Sequence, residues 1–403
     1  MQNKRLLIIF LIVFVDLLGF GLILPLLPYY AETFGANPTV IGLLVASYAA
    51  AQLIGAALLG RLSDLYGRRP LLLLSLFGTF IGFVILGSAH ALWMLFAARI
   101  VDGFTGGNIS IAQAYISDVT DDKNRARGLG LIGAAFGLGF IIGPALGGML
   151  SQWGYAVPAF AAAGLSLLNL TAVAVFLPES LTLQQRERSA SQHRPAFDFR
   201  SMRQALTRPL VGPLIYTLFF YGLASATFQS IFSLYALYHL NLNAQSTGYV
   251  LAYVGILAVL VQGGAIGWLT ARIGENMLIL EAVALMSLSL LAWAFVSNVP
   301  LLLVVLLPLS LATGVLNTVL RSALSKSVSR EEIGGIMGFS ASVESLTRVI
   351  APSLGGFLLQ QVGAGAPGVF GAVVTALLVP YIWRRLAGLS ARPLAQQTEV
   401  PPS

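Results

Sequence analysis

Twelve apolar stretches, each close to the ~20 residues a helix needs to cross a bilayer, follow one another along this 403-residue chain. They are drawn at 6–29, 39–60, 71–88, 92–115, 128–150, 156–177, 212–236, 246–270, 277–296, 299–320, 335–359 and 366–386. In lipid every backbone N–H and C=O must be satisfied within the protein, so runs of this length fold as helices. No alternating pattern of the kind a membrane barrel needs is present. Only 10% of the residues are charged, which excludes a water-soluble domain of this size. The first run starts after Met1-Gln2-Asn3-Lys4-Arg5 and continues to about Pro28. That is too long for a signal-peptide core and lacks a small-residue cleavage site, so it is read as the first span.

The basic residues give these spans a direction. Of the 23 lysines and arginines, Arg99 and Arg348 fall inside spans. Arg384 and Arg385 fall at the very end of the last one, and these two and all the others lie on one side. The positive-inside rule makes that side cytoplasmic, with both termini inside. One connection is long: 178–211 carries Arg186, Arg188, His193, Arg194, Arg200, Arg203 and Arg208 among three prolines. It is read as a cytoplasmic linker between a six-helix half at 1–177 and a second at 212–389. The polar tail at 390–403 is expected to be disordered.

The halves look like repeats. Gly143-Pro144-Ala145-Leu146-Gly147-Gly148 in the fifth span matches Ala351-Pro352-Ser353-Leu354-Gly355-Gly356 in the eleventh, 208 residues on. A worn copy of the Gly60–Gly67 segment stands at Gly267–Gly274, 207 residues on. Parallel repeats with a binding site at their interface are a transporter architecture.

Several chemistries drop out. The chain has no cysteine, hence no disulfide, thiolate metal site or cysteine nucleophile. His90, His193 and His239 are scattered and make no metal spacing. The basic residues are distributed by loop rather than gathered on a domain, which argues against nucleic acid. No nucleophile–base pair points to an enzyme, and no cofactor is expected.

Ionisable residues inside spans are functional candidates by default, because burying a charge in hydrocarbon is costly. Asp16 lies about mid-membrane in the first span, a candidate proton or substrate site, with a structural partnership to Arg99 as the alternative. Arg99 and Asp102 stand at i and i+3 in the fourth span. Gly103, Gly106, Ser110 and Gln113 continue their face. Glu344 and Arg348, at i and i+4 in the eleventh span, either neutralise each other or supply a second proton site and a substrate contact. Glu281 lies about a turn into the ninth. Tyr221, Phe228, Phe232 and Tyr235 share one face of the seventh span, and Asn108, Gln229, Tyr253, Gln262 and Asn317 add polar groups. An aromatic cavity with few polar groups suits amphiphilic molecules. Packing is the alternative for each aromatic ring.

Between the second and third spans stands Gly60-Arg61-Leu62-Ser63-Asp64-Leu65-Tyr66-Gly67-Arg68-Arg69. Its glycines are expected to let helix ends approach or turn, and Asp64 to pair with an arginine or cap a helix. This segment resembles the loop motif of the major facilitator superfamily. The first-span Asp16-x-x-Gly-x-Gly-x-x-x-Pro-x-x-Pro28, the run from Arg99 to Gly107, Ala114–Thr120 at the fourth-span exit, and Gly133, Gly137, Gly143, Pro144, Gly147 and Gly148 in the fifth span resemble its drug:proton antiporters. The bacterial tetracycline efflux pumps are the nearest likeness.

The resemblance spans almost the whole chain. It implies an all-α membrane protein of twelve helices in two parallel six-helix repeats, working by alternating access in a bacterial inner membrane, as a monomer. It implies proton-driven export of small organic compounds. Asp16, Arg99, Asp102 and Glu344 would couple protons, and Asp16, Tyr221, Gln229, Phe232, Tyr253, Asn317 and Arg348 would contact substrate. Gly60, Asp64, Gly67, Arg68 and Arg69 would form a conformational latch, and the fifth-span motif a bending seal. Two departures separate this chain from the tetracycline pumps: Gly82 stands about where they carry an acid in the third span, and Met286 where they carry an aspartate in the ninth. A symporter, an exporter of lipid-like molecules, and a receptor or scaffold that kept the fold without transport remain the alternatives.

Overall fold

The computed structural model describes residues 2–182, 184–187, 199–329 and 332–385. The middle of the expected linker, with His193, and the expected disordered tail lie outside the described residues. Among the described residues there is no strand, and ten helices are long and apolar enough to cross a membrane. The first span, Gln2–Ile23, turns at Leu24-Pro25-Leu26 and resumes as Leu27–Glu32. The second is Pro38–Tyr66, the third Arg68–Gly87, the fifth Asp122–Leu150 and the sixth Ala156–Phe176. After a short helix at Phe199–Thr207, the seventh runs Val211–Leu240. The ninth is Glu275–Ala294, the tenth Val299–Lys326 and the twelfth Ala366–Arg385.

Local chemistry sets the ends. Asn37, Asp121 and Asn298 cap the second, fifth and tenth helices, each side chain accepting a backbone N–H three residues on. Gly67, Gly154, Gly274 and Gly363 terminate segments at positive φ.

Two expected spans differ from the ten. The fourth is broken into Leu92–Phe104 and Asn108–Val119, each too short to cross alone. The break is Thr105-Gly106-Gly107. The Ser75 hydroxyl of the third helix donates to the Thr105 carbonyl and accepts the Gly107 N–H, at 3.1 Å. The expected single polar face from Arg99 to Gln113 is therefore two faces on two segments. The eleventh is continuous, Ile333–Gln361, but its serines, Glu344 and Arg348 dilute its apolar character. The eighth holds an irregularity of its own. Ala244–Leu260 passes through a π-helical turn at Val261–Ala265 before Ile266–Ile273.

The described residues form two compact units, which divide within the expected linker and within the seventh, eighth and eleventh helices. The first unit holds residues 1–196 with 230–256 and 352–362. The second holds 197–229, 257–351 and the chain from 363. In the first, the first span packs along the fifth and the third along the sixth, around a core that includes Ile9, Ile12, Leu72, Leu76, Tyr115 and Val173. In the second, the ninth span packs along the tenth and twelfth. Large apolar side chains such as Leu168, Val175, Leu288 and Leu377 stand exposed, as helices facing lipid require.

Candidate functional site

In the first unit the intramembrane charges gather where the first, third and fourth spans meet. Arg99 and Asp102 are 2% and 3% exposed, and their charged atoms lie 3.1 Å apart. The Arg99 guanidinium stands over the Tyr48 and Phe83 rings, 5.5 and 5.7 Å from their centroids, which adds cation–π attraction. Asp16 is not the arginine's partner. Its Oδ1 accepts from the Asn108 amide at 2.8 Å, at the first residue after the break in the fourth helix. The break thus presents Asn108 to the first span. Asp102 acts electrostatically on Asp16, so two carboxyl groups and one guanidinium share the region. The Asn108 Oδ1 atom is buried and has no hydrogen-bond partner among the described residues. Asn108 was read from sequence only as one polar group among several, and the glycine pair before it was the available signal.

Gly82 explains one departure from the tetracycline pumps. A Cβ on Gly82 would lie 2.9 Å from the Asp102 Cβ and 3.1 Å from the Ala98 carbonyl. An acidic side chain on the third span has no room here, and the fourth span supplies a carboxyl at that interface instead. Met286 is fully buried and brings no acid from the ninth span.

The charged segment between the second and third spans is mostly helix, with only Gly67 in the turn, at φ +108°. Arg68 organises it. Its guanidinium contacts Asp64 at 2.6 Å and Asp118 of the fourth span at 3.0 Å, and donates to the Ser63 hydroxyl at 2.7 Å. Glu179 caps the third helix, accepting the Arg68 and Arg69 backbone N–H groups at 2.9 and 3.2 Å, and pairs with Arg186 at 3.2 Å. Ser180 donates to Asp118 at 2.9 Å. The Arg69 side chain donates to the Ala174 carbonyl at 2.5 Å. A Cβ on Gly67 would strike Glu179 and Arg186, whereas one on Gly60 would meet nothing. The expected close approach at Gly60 is therefore corrected, because it lies within the second helix facing open space. Asp118, Glu179, Ser180 and Arg186 complete a cluster that the motif alone did not reveal.

The fifth span is tight on two faces. Gly139 packs on Leu17, Gly143 on Gly21 and Gly147 on Leu22, all in the first span. Gly148 packs on Ala244 and Gln245, while the Pro144 carbonyl fills the space beside Gly248 of the eighth span. The same contact recurs between repeats. The Pro352 carbonyl fills the space beside Gly42 of the second span, and Gly356 packs on Pro38. Gly133, expected on the packed face with Gly137, Pro144 and Gly148, faces open space instead. Gly137 is half-buried.

The candidates of the later spans separate. The Tyr221 hydroxyl donates to the Thr313 carbonyl at 3.2 Å, and Tyr221 is almost wholly buried. Phe232 and Tyr235 have no exposed surface, and Phe228 packs edge-on against Trp293 at 4.9 Å. The expected aromatic cavity wall is thus core packing. Tyr253 is half-buried, whereas Gln229, Asn317 and Arg348 are exposed, Gln229 donating to Ser225 at 3.0 Å. Glu344 does not pair with Arg348. It accepts from Arg321 at 2.8 Å, because the tenth helix runs on to Lys326, past the expected end at 320. Arg321 is therefore a helix residue rather than a loop one. Glu281 is exposed.

The sequence matches the family model described as Major Facilitator Superfamily over residues 9–286 and 264–402. It is 34% identical over 388 residues to the tetracycline resistance protein, class H, of Pasteurella multocida, covering 94% of this chain and 95% of that protein. It is 30% identical over 367 residues to solute carrier family 22 member 18 of Rattus norvegicus, covering 89% of each. Its fold is similar to the crystal structure of the human organic anion transporter MFSD10, with a TM-score of 0.69 at 24% identity, over 94% of this chain and 99% of that one.

Proposed function

The chain belongs to the major facilitator superfamily, and we propose that it is a proton-coupled exporter of small amphiphilic organic compounds. It sits in a bacterial inner membrane as a monomer, with both termini in the cytoplasm. One observation carries the reading: half-buried Asp16 and buried Asp102 share a region with a single guanidinium, that of Arg99. With both acids ionised the region holds one uncompensated negative charge, costly to keep in hydrocarbon. One proton removes it. Arg99 pairs with Asp102, so Asp16 is the acid left to take the proton.

Asn108 supports both states of that acid. Its Nδ2 donates to Asp16 Oδ1 at 2.8 Å, the bond that suits an ionised carboxylate. When Asp16 carries the proton, its O–H donates to the Asn108 Oδ1 once the amide has turned, and that oxygen is unpartnered. A proton entering from outside moves onto Asp16 as substrate leaves outward, and is released to the cytoplasm after the protein has switched. Each entry across ~100 mV supplies about 2.3 kcal/mol. The kinship to tetracycline resistance proteins supports export. Gly82 and Met286 leave the substrate class at amphiphilic organic compounds, tetracyclines being one member to test.

Purified protein in vesicles with an imposed pH gradient tests the reading against a panel of such compounds. Substrate-dependent proton movement is expected. Asp16→Asn, isosteric but unable to titrate, should abolish it at unchanged expression. Full gradient-driven transport by that variant would refute the assignment.

A further inference from the structure

In the second unit the seventh and twelfth spans part into a groove. They run antiparallel and touch where a Cβ on Gly371 would lie 3.6 Å from the Ala224 methyl. Beyond that contact, toward the basic side of the membrane, they enclose a cavity of about 330 Å³. Tyr216, Phe220, Val374, Leu377, Leu378 and Tyr381 line it, and no charged side chain does. Leu378 is its buried floor, while Tyr216, Phe220 and Leu377 are exposed at its rim. At the mouth the Tyr216 and Tyr381 rings meet edge to face, 6.4 Å apart.

The matching seam of the first repeat is closed. At an offset of 207, Tyr216 and Phe220 correspond to Ile9 and Val13, both buried in the core of the first unit. Asn169 of the sixth span donates to the Ile12 carbonyl across that seam at 2.9 Å. Leu177 and Pro178 stand there in place of Arg384 and Arg385. The groove and its arginines thus belong to the second repeat rather than to the fold.

Tyr216, Tyr381 and the exposed Trp383 set the mouth at headgroup level, where amphipathic rings collect. From Gly371 to Tyr381 the groove runs about 15 Å, half of the ~30 Å hydrocarbon core. That is the depth of one leaflet and suits a single acyl chain. Val374, Leu377, Leu378 and Tyr381 recur at helical spacing, and Arg384 and Arg385 continue their face by one turn into the headgroup layer. Both arginines are exposed, and neither makes an ion pair among the described residues. Arg385 acts electrostatically on Tyr381, which places its charge at the mouth. We propose that this groove seats one acyl chain of an anionic phospholipid from the leaflet on the basic side, with the lipid phosphate held by Arg384 and Arg385. A zwitterionic lipid fits the same groove but brings its own ammonium to two guanidiniums that need none.

Native cysteine is absent, so a thiol-reactive dye reads only the position chosen for it. Val373→Cys puts the dye beside the groove, and Leu168→Cys puts it on the lipid-facing surface of the sixth span. Each labelled protein is placed in vesicles containing phosphatidylglycerol or phosphatidylethanolamine brominated on the acyl chains. At 373, phosphatidylglycerol should quench with at least about fivefold higher apparent affinity, the contribution of one basic residue at an anionic surface. At 168 the two lipids should quench within about twofold of each other. Adding Arg384→Gln and Arg385→Gln should bring the ratio at 373 below about twofold, and the corresponding lysine pair should keep it. Equal quenching by the two lipids at 373, the same preference at 168, or a preference that survives the glutamine pair overturns the proposal. Native mass spectrometry of unlabelled protein checks it without a dye. The glutamine variant should retain one phosphatidylglycerol fewer than the unaltered chain, and an equal number overturns it. No transported substrate enters these measurements, so they leave the exporter reading untouched.

Discussion

The two basic corners of this protein are built on one plan and solved in opposite ways. At the first, between the second and third spans, the third helix begins with two arginines and borrows its cap, Glu179, from the start of the linker. At the second, the ninth helix begins with its own acid, Glu275, held by Ser322 and Lys326 of the tenth span. The first corner is thus tied to the start of the linker and to the fourth span. A motif read as one element by its glycine spacing can hold its following helix through a distant acid in one copy and through an acid of its own in the other, and the sign of one residue separates the two.

The hardest test of that contrast is removal of the central cation. Arg68→Ala strands Asp64 and Asp118 beside a nearly buried site, and should lower stability by about 2–4 kcal/mol. Lys326→Ala, at a side chain 67% exposed, should cost about 0–1 kcal/mol. Thermal unfolding in detergent measures both, and similar losses would break the comparison.

Next come the turns. Both Gly67 and Gly274 occupy backbone conformations that only glycine adopts without strain, so each change to alanine should cost about 1–3 kcal/mol. Gly67→Ala should cost more, because its methyl also displaces Glu179 and Arg186, while Gly274→Ala meets nothing. The same unfolding measurement ranks them, and the reverse order would remove the linker from the first corner.

A smaller effect sharpens the borrowed cap. Glu179→Gln should destabilise by about 1 kcal/mol and speed proteolysis of the linker. Glu275→Gln should leave linker proteolysis unchanged.

The smallest belongs to a third ion pair, in the second unit. Arg208, before the seventh span, pairs with Glu332, before the eleventh, at 2.6 Å. The Arg208 guanidinium and the Ser329 groups hold the Glu332 carboxyl below its usual range. The pair's contribution is therefore present above the ordinary carboxylate range and is lost as pH falls through the lowered value. Glu332→Gln should erase that acid dependence in unfolding curves, with little change at neutral pH because both partners are half-exposed.

Much of the fold was legible in hydropathy, because lipid leaves helices as the one solution for each apolar run. What escaped depends on partners distant in sequence. The fourth-span break needed Ser75 on another helix to hold it, although Gly106-Gly107 hinted at it. The Glu344 partner was hidden by six further residues of tenth helix, which brought Arg321 and Lys326 inside. The fifth span carries glycines on more than one face. Spacing could not say that Gly139, Gly143 and Gly147 meet the first span while Gly133 meets nothing. The Arg99–Asp102 pair was readable from i, i+3 spacing; the Asp16–Asn108 bond, between residues 92 apart, was not.

The π-helical turn at Val261–Ala265 can be counted. From Gly42 to Gly67 the second span takes 25 residues, while from Gly248 to Gly274 its counterpart takes 26. Gly42 and Gly248 each face a proline carbonyl, and Gly67 and Gly274 each end a helix, so both termini of the comparison are structurally matched. The surplus residue falls in the span that contains the π turn, which is how a helix holds one extra residue while both ends keep their positions. Deleting Gly263 should heal the turn into regular helix without turning Trp268 and Arg272 by the ~100° that losing one residue imposes on an ordinary helix.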